Sequence, residues 1–160
     1  GSILDDDYIN SLDKYDIVFS WGVLHHTGDM WKAIKNAISL SNDLVMISLY
    51  SNINNYNNDL TGKQNYQKFN EIQKKKTIAD FIMTCKQSAN SDKELMSWNT
   101  VTKRGMNKYN DIIDWVGGLP YEVCNTEQIT RFMKSNGFTL LKKFDPSYQA
   151  CHEWLFQKIK

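Results

Sequence analysis

The segment from Tyr15 to Asp29, YDIVFSWGVLHHTGD, limits the fold of this chain more than any other. Ile17, Val18 and Phe19 make a short apolar, β-rich run behind Asp16, the pattern of a buried strand rather than an alternating, half-exposed one. The run stops at Ser20-Trp21-Gly22, and two adjacent histidines, His25 and His26, follow. Thr27-Gly28-Asp29 then makes a turn and supplies an N-cap for a helix over 30–40. In that helix Met30, Trp31, Ile34, Ala37 and Ile38 form the apolar stripe, with Lys32, Lys35 and Asn36 outward. Ser41-Asn42-Asp43 breaks the helix, and Leu44 to Tyr50 reads as a second, parallel strand joined by a right-handed crossover. In such an α/β unit ligands bind at the carboxyl ends of the strands, where the histidine loop sits and where Tyr50 ends the second strand.

The rest of the chain is read around this unit. Residues 2–12 contain a short helix with Asp5, Asp6 and Asp7 at its start, where carboxylates suit the helix dipole without any ligand. Asn52 to Asn58 is polar and turn-rich. Helical spacing returns from Thr61 to Cys85 and again from Leu95 to Met106, so residues 52–112 form a helical insertion. Tyr109, Asp111, Asp114 and Trp115 precede a turn at Gly117-Gly118-Leu119-Pro120. Asp111 and Asp114, three apart, share a helix face, where they could bind or deprotonate a substrate or simply be solvated, with Glu122 as a further acid. Thr126 is the expected N-cap of a helix that ends at Gly137. Residues 138–144 and 151–158 then form a terminal strand pair joined by a connection beginning Asp145-Pro146-Ser147, with His152 structural.

Charge and cysteine content exclude several classes. Net charge is +1, which argues against a dedicated nucleic-acid or membrane-surface protein. The distribution is uneven, with −5 over residues 1–61 and +6 over 62–108, a basic stretch that suits an anionic substrate or a solvated helical face. No stripe of basic residues interleaved with aromatics suggests RNA. Cys85, Cys124 and Cys151 are odd in number and lack CxxC spacing, which argues against a disulfide framework or zinc site and fits a reducing cytoplasm. No apolar run approaches the roughly 18 residues of a membrane span.

His25 and His26 carry the chemistry that can be read from residue type. An imidazole titrates near neutral pH and can accept a proton from a hydroxyl nucleophile. Being adjacent, the two rings project differently, so one at most is expected to face a site while the other packs or caps. A metal held by His25, His26 and Asp29 is disfavoured, because adjacent histidines seldom share one.

The first segment resembles the fourth strand and following loop of Rossmann-like (class I) S-adenosylmethionine-dependent methyltransferases carrying the pattern fDxVxSxGVLHH. Asp16, Val18, Ser20, Gly22, Val23, Leu24, His25 and His26 carry the match, and Leu44–Tyr50 and Arg104–Val123 are similar to one bacterial branch. The family's GxGxG cofactor loop does not occur in this sequence, so the chain resembles the C-terminal portion of such a domain.

The resemblance implies a single, incomplete α/β domain over 1–160 whose strands take the order 4-5-7-6 in family counting, with the insertion acting as a lid. It implies S-adenosyl-L-methionine as cofactor, with Ser2 and Ile3 at the adenine edge and Ser20, Trp21 and Gly22 at the methionine end. His25, His26, Asp111 and Asp114 become catalytic candidates, and Tyr50, Tyr109 and Trp115 candidates for contact with a small-molecule methyl acceptor. Catalysis in such an enzyme is mainly positioning. The first strand is then an open apolar edge that a dimer mate or partner chain would complete, and the alternative reading is a non-catalytic interaction module with half the fold.

Overall fold

In the computed structural model, residues 1–51, 53–87, 105, 107–144 and 151–160 are described. The chain divides into two compact units, one of residues 1–56 and 120–160 and the other of residues 57–119.

The first unit is mixed α/β and holds a four-stranded sheet. Helix α1 (Asp6–Asn10) is capped by Asp5, whose carboxylate accepts the Tyr8 N–H at 3.1 Å. Strand β1 (Tyr15–Trp21) is followed by a 3-10 turn at Leu24–His26 and by helix α2 (Met30–Ser39), with Asp29 as its N-cap. Strand β2 starts without a break, at Ser41, and runs to Leu49. The Ser41 side chain accounts for this: it is buried and its hydroxyl donates to the Leu44 carbonyl at 3.0 Å, so the expected helix-breaking triplet already belongs to the strand. Helix α6 (Thr126–Ser135), strand β3 (Phe138–Phe144) and strand β4 (His152–Lys158) complete the unit. The N-cap of α6 is Asn125 rather than Thr126. Asn125 and Gln128 form a reciprocal capping box, while the Thr126 hydroxyl accepts the indole N–H of Trp154.

The sheet order is β1-β2-β4-β3, with β1 and β2 parallel and the last two strands antiparallel to their neighbours. Its inner face carries Val45, Ile47, Leu49, Trp154, Phe156 and Phe138, packed against Ala33, Ile34, Ala37 and Ile38 of α2 and Ile129 and Met133 of α6. Of the apolar stripe expected of α2, Met30, Ile34, Ala37 and Ile38 are buried, with Ala33 among them, while Trp31 is half-buried against the Phe132 ring.

The other face departs from expectation at β1. Ile17 and Phe19 are 62% and 58% exposed, and Tyr15 and Trp21 are exposed beside them; of the apolar run, Val18 alone turns toward the core. The strand is therefore buried on one face only.

The second unit is helical in its described residues. Helix α3 (Tyr56–Lys68) enters it after a 3-10 turn at Ile53–Asn55, and helices α4 (Glu71–Gln87) and α5 (Lys108–Gly117) follow. The expected helix over 95–106 and the Asp145-Pro146-Ser147 connection lie outside the described residues. No helix of the described residues is long and apolar enough to cross a membrane.

Candidate functional site

The site candidate in the first unit lies where β1 and β2 end. At Gly22 the chain leaves the sheet with φ +69°, a conformation that L side chains rarely adopt, and its N–H still donates to the Ser48 carbonyl at 3.0 Å. The turn at Leu24–His26 then brings both histidines against Tyr50, directly after β2. The His25 ring is fully buried, packed at a tilt against Tyr50 with centroids 4.0 Å apart and against His26 at 4.3 Å. Tyr121 lies 5.5 Å from Tyr50 and stacks on Tyr56 at 5.8 Å, so five rings form one continuous array.

Hydrogen bonds assign different tasks to the two imidazoles. The backbone N–H of Tyr50 donates to His25 Nδ1 at 3.3 Å, so the lone pair of that ring lies on Nδ1 and is in use. His26 Nδ1 lies 2.9 Å from the carbonyl oxygen of Pro120, which can only accept. His26 therefore donates from Nδ1, and the neutral ring keeps its lone pair on Nε2, the arrangement of a general base. Of the adjacent pair, His25 is the packed ring, and His26, half-buried, is the one in a base-competent form.

The segment 120–124 holds this arrangement. Besides the Pro120 carbonyl, the Glu122 N–H donates to the His25 carbonyl and the Cys124 N–H to the Tyr50 carbonyl, both at 3.1 Å. The Glu122 carboxylate accepts the Met30 N–H at the start of α2, at 3.0 and 3.2 Å. By residue type Glu122 is a further acid beside Asp111 and Asp114; in the fold it caps a helix 92 residues away in sequence. Tyr121 and Pro120 carry no sign of a site in the sequence. Their composition reads as a turn, and only the tertiary path of the strap shows what they touch.

The remaining candidates fall into separate places. Ser20 is half-buried within β1, and Trp21 is exposed, with its ring edge-on to Phe19 at 6.0 Å. The Ser2 hydroxyl accepts the Leu4 N–H at 3.2 Å and keeps its own O–H as a donor; the Ile3 carbonyl accepts the Asn36 side-chain amide at 2.9 Å. That amide also reaches Asp6, whose carboxyl is held below its usual value by Asn36 and then Lys32. Asp111, Asp114, Tyr109 and Trp115 belong to α5 in the second unit. There the buried Lys63 of α3 donates to the carbonyls of Asp114 and Trp115 at 3.0 and 2.7 Å, and Gln67 donates to that of Gly117 at 2.6 Å. An open cleft of about 380 Å³ is lined by Asn110, Ile113, Asp114 and the Gly117–Leu119 turn.

Two features at the strand ends suit a polar ligand. A Cβ built on Gly22 would meet nothing within 4 Å, so there is open space against the backbone. Beside it, the Ser48 hydroxyl is buried without a hydrogen-bond partner among the described residues. Ser48 is the register partner of Trp21, which puts this orphaned group at the same edge as the residues the resemblance assigns to a cofactor.

No protein-family model matches the sequence, and no curated protein is significantly similar to it. Among solved structures, the chain is similar to the crystal structure of magnesium protoporphyrin IX methyltransferase from Synechocystis PCC 6803 with bound SAH, at 12% identity and a TM-score of 0.47. The match covers 94% of this chain and 48% of that one, so the chain spans about half the length of the structure it matches.

Proposed function

We propose that the chain is the C-terminal part of a Rossmann-like methyltransferase domain that transfers a methyl group from S-adenosyl-L-methionine to a small-molecule acceptor. One observation carries the reading: the loop after β1 holds an imidazole in its base tautomer at the carboxyl end of a parallel strand pair. The order β1-β2-β4-β3 supports it, the four strands standing for the fourth, fifth, seventh and sixth of the family. The orphaned Ser48 hydroxyl and the open space at Gly22 fit a polar cofactor there, with Ser20, Trp21 and Gly22 at one end and Ser2 and Ile3 at the other.

When bound, the cofactor supplies an already activated sulfonium methyl. The chain's own part is to orient the acceptor and take its proton. His26 Nε2 accepts that proton while Nδ1–H stays on Pro120; His25 and Tyr50 form the wall against which His26 is set. Aromatic walls at this end of the sheet suit a planar or apolar acceptor.

Calorimetry with S-adenosylhomocysteine tests the proposal on two proteins, this chain and a form extended N-terminally by a glycine-rich cofactor strand and the strands after it. The longer form should bind and the shorter should not; absence of binding by both overturns the reading. The bare apolar face of β1 favours a second reading, a non-catalytic module that pairs with another chain through that edge. It gains if neither form binds and this chain still associates.

A further inference from the structure

The Glu122 carboxylate is spent on a helix that is already capped. Asp29 accepts the Lys32 N–H at 3.1 Å and serves as the N-cap of α2. Glu122 adds both its oxygens to one more N–H, that of Met30, from across the fold. A carboxylate suits a helix N-terminus, but α2 gains little from a second one. The strap gains more: besides the packing of the Tyr121 ring, its backbone is tied by single hydrogen bonds, from the Glu122 and Cys124 N–H groups and to the Pro120 carbonyl.

We propose that Glu122 is a positioning residue: by anchoring the 120–124 strap to the start of α2, it keeps the Pro120 carbonyl on His26 Nδ1 and so fixes that imidazole in the tautomer with Nε2 as acceptor. The inference rests on reading His26 as the base, and it assigns the device that makes it one. A neutral imidazole in water favours the opposite tautomer, with the proton on Nε2, so a ring whose Nδ1–H partner drifts away returns to the form that cannot accept a proton there. One residue, Tyr121, separates Glu122 from Pro120, and the Glu122 N–H on the His25 carbonyl ties the strap to the residue next to His26.

The test is ¹⁵N and ¹³C NMR of histidine-labelled protein, whose three imidazoles are assigned with a His26→Gln variant. Above the imidazole titration range, wild-type His26 should show the Nδ1–H tautomer. Glu122→Ala should shift both ring nitrogens toward the ordinary Nε2–H pattern. Glu122→Gln, which keeps an oxygen for the Met30 N–H, should hold the wild-type pattern and shows that the change is not loss of fold. A wild-type ring already in the Nε2–H form overturns the proposal, as does an unchanged ring in Glu122→Ala or a Gln variant that behaves like the Ala one. The readout needs no cofactor and no activity: an unchanged ring in Glu122→Ala leaves the methyl-transfer reading standing, a wild-type Nε2–H ring removes the observation that carries it, and failed cofactor binding leaves the tautomer result standing.

Discussion

Single residues in the first unit show how burial, rather than residue type, decides chemistry. Cys124 lies on the strap beside the histidines, a place where a thiol could be taken for a nucleophile. It is fully buried, and burial pushes its thiol up to about 12. Since the thiolate is the reactive form, Cys124 in the folded protein should be inert to iodoacetamide at neutral pH, whereas the partly exposed Cys151 should react. Peptide mapping after alkylation, with and without denaturant, checks this; equal labelling of the two in the folded protein would refute it. The sign of the pH effect follows. The unfolded thiol ionises near its ordinary 9.0 while the folded one keeps its proton, so the stability Cys124 contributes is present below that value and lost as pH climbs above it. His25 shows the same principle from the other side. Adjacency in sequence suggests that the two rings project differently, yet they lie 4.3 Å apart and both meet Tyr50; which one is packed depended on Tyr50 and Pro120, which meet the loop only in the folded chain.

At the scale of elements, local periodicity was legible and long-range capping was not. The stripe of α2, the C-terminal Gly137 and the reversed terminal strands follow from spacing and turn chemistry. Gly117 reads as part of a turn, yet it is the last residue of α5, lying against the Tyr66 ring where no Cβ fits. Lys63 gave no signal either: one lysine in a polar stretch reads as solvated, but its chain is buried, at 5% exposure, and closes the end of α5 with two carbonyl contacts. Replacing it with Met leaves two carbonyls without that donor, so Lys63→Met should destabilise α5 by about 1–3 kcal/mol, measured as faster hydrogen exchange of the α5 amides. Lysine burial also has a price in protonation. Desolvation lowers the Lys63 pKa below 10.5, against the opposing pull of Asp114 and Asp59. Between the folded value and 10.5 the unfolded chain therefore holds more protons, and stability rises with pH. The neutral amine still has two N–H groups for two carbonyls, so the deficit of Lys63→Met relative to wild type should widen as pH approaches 10.5. A deficit that shrinks over that range contradicts the assignment.

For the molecule as a whole, the informative mismatch is between the sequence of β1 and its surroundings. A continuous apolar run is the signature of a strand covered on both faces. Here Val18 reaches the core, while Ile17 and Phe19 lie bare beside Tyr15 and Trp21, on a strand that among the described residues is paired through one edge. Covering one such side chain is worth about 2 kcal/mol, and several together are enough to drive association. The chain on its own should therefore self-associate, with a sedimentation coefficient that rises with protein concentration. Ile17→Lys combined with Phe19→Lys should abolish that rise, because charged groups on an exposed edge strand oppose pairing. The unfolding midpoint should stay close to wild type, within roughly 0.5 kcal/mol, since neither side chain contributes to the packed face. A wild-type coefficient independent of concentration would show that the bare strand is tolerated as it stands and would remove the case for a completing polypeptide. Association that survives both lysines would move the contact to another surface.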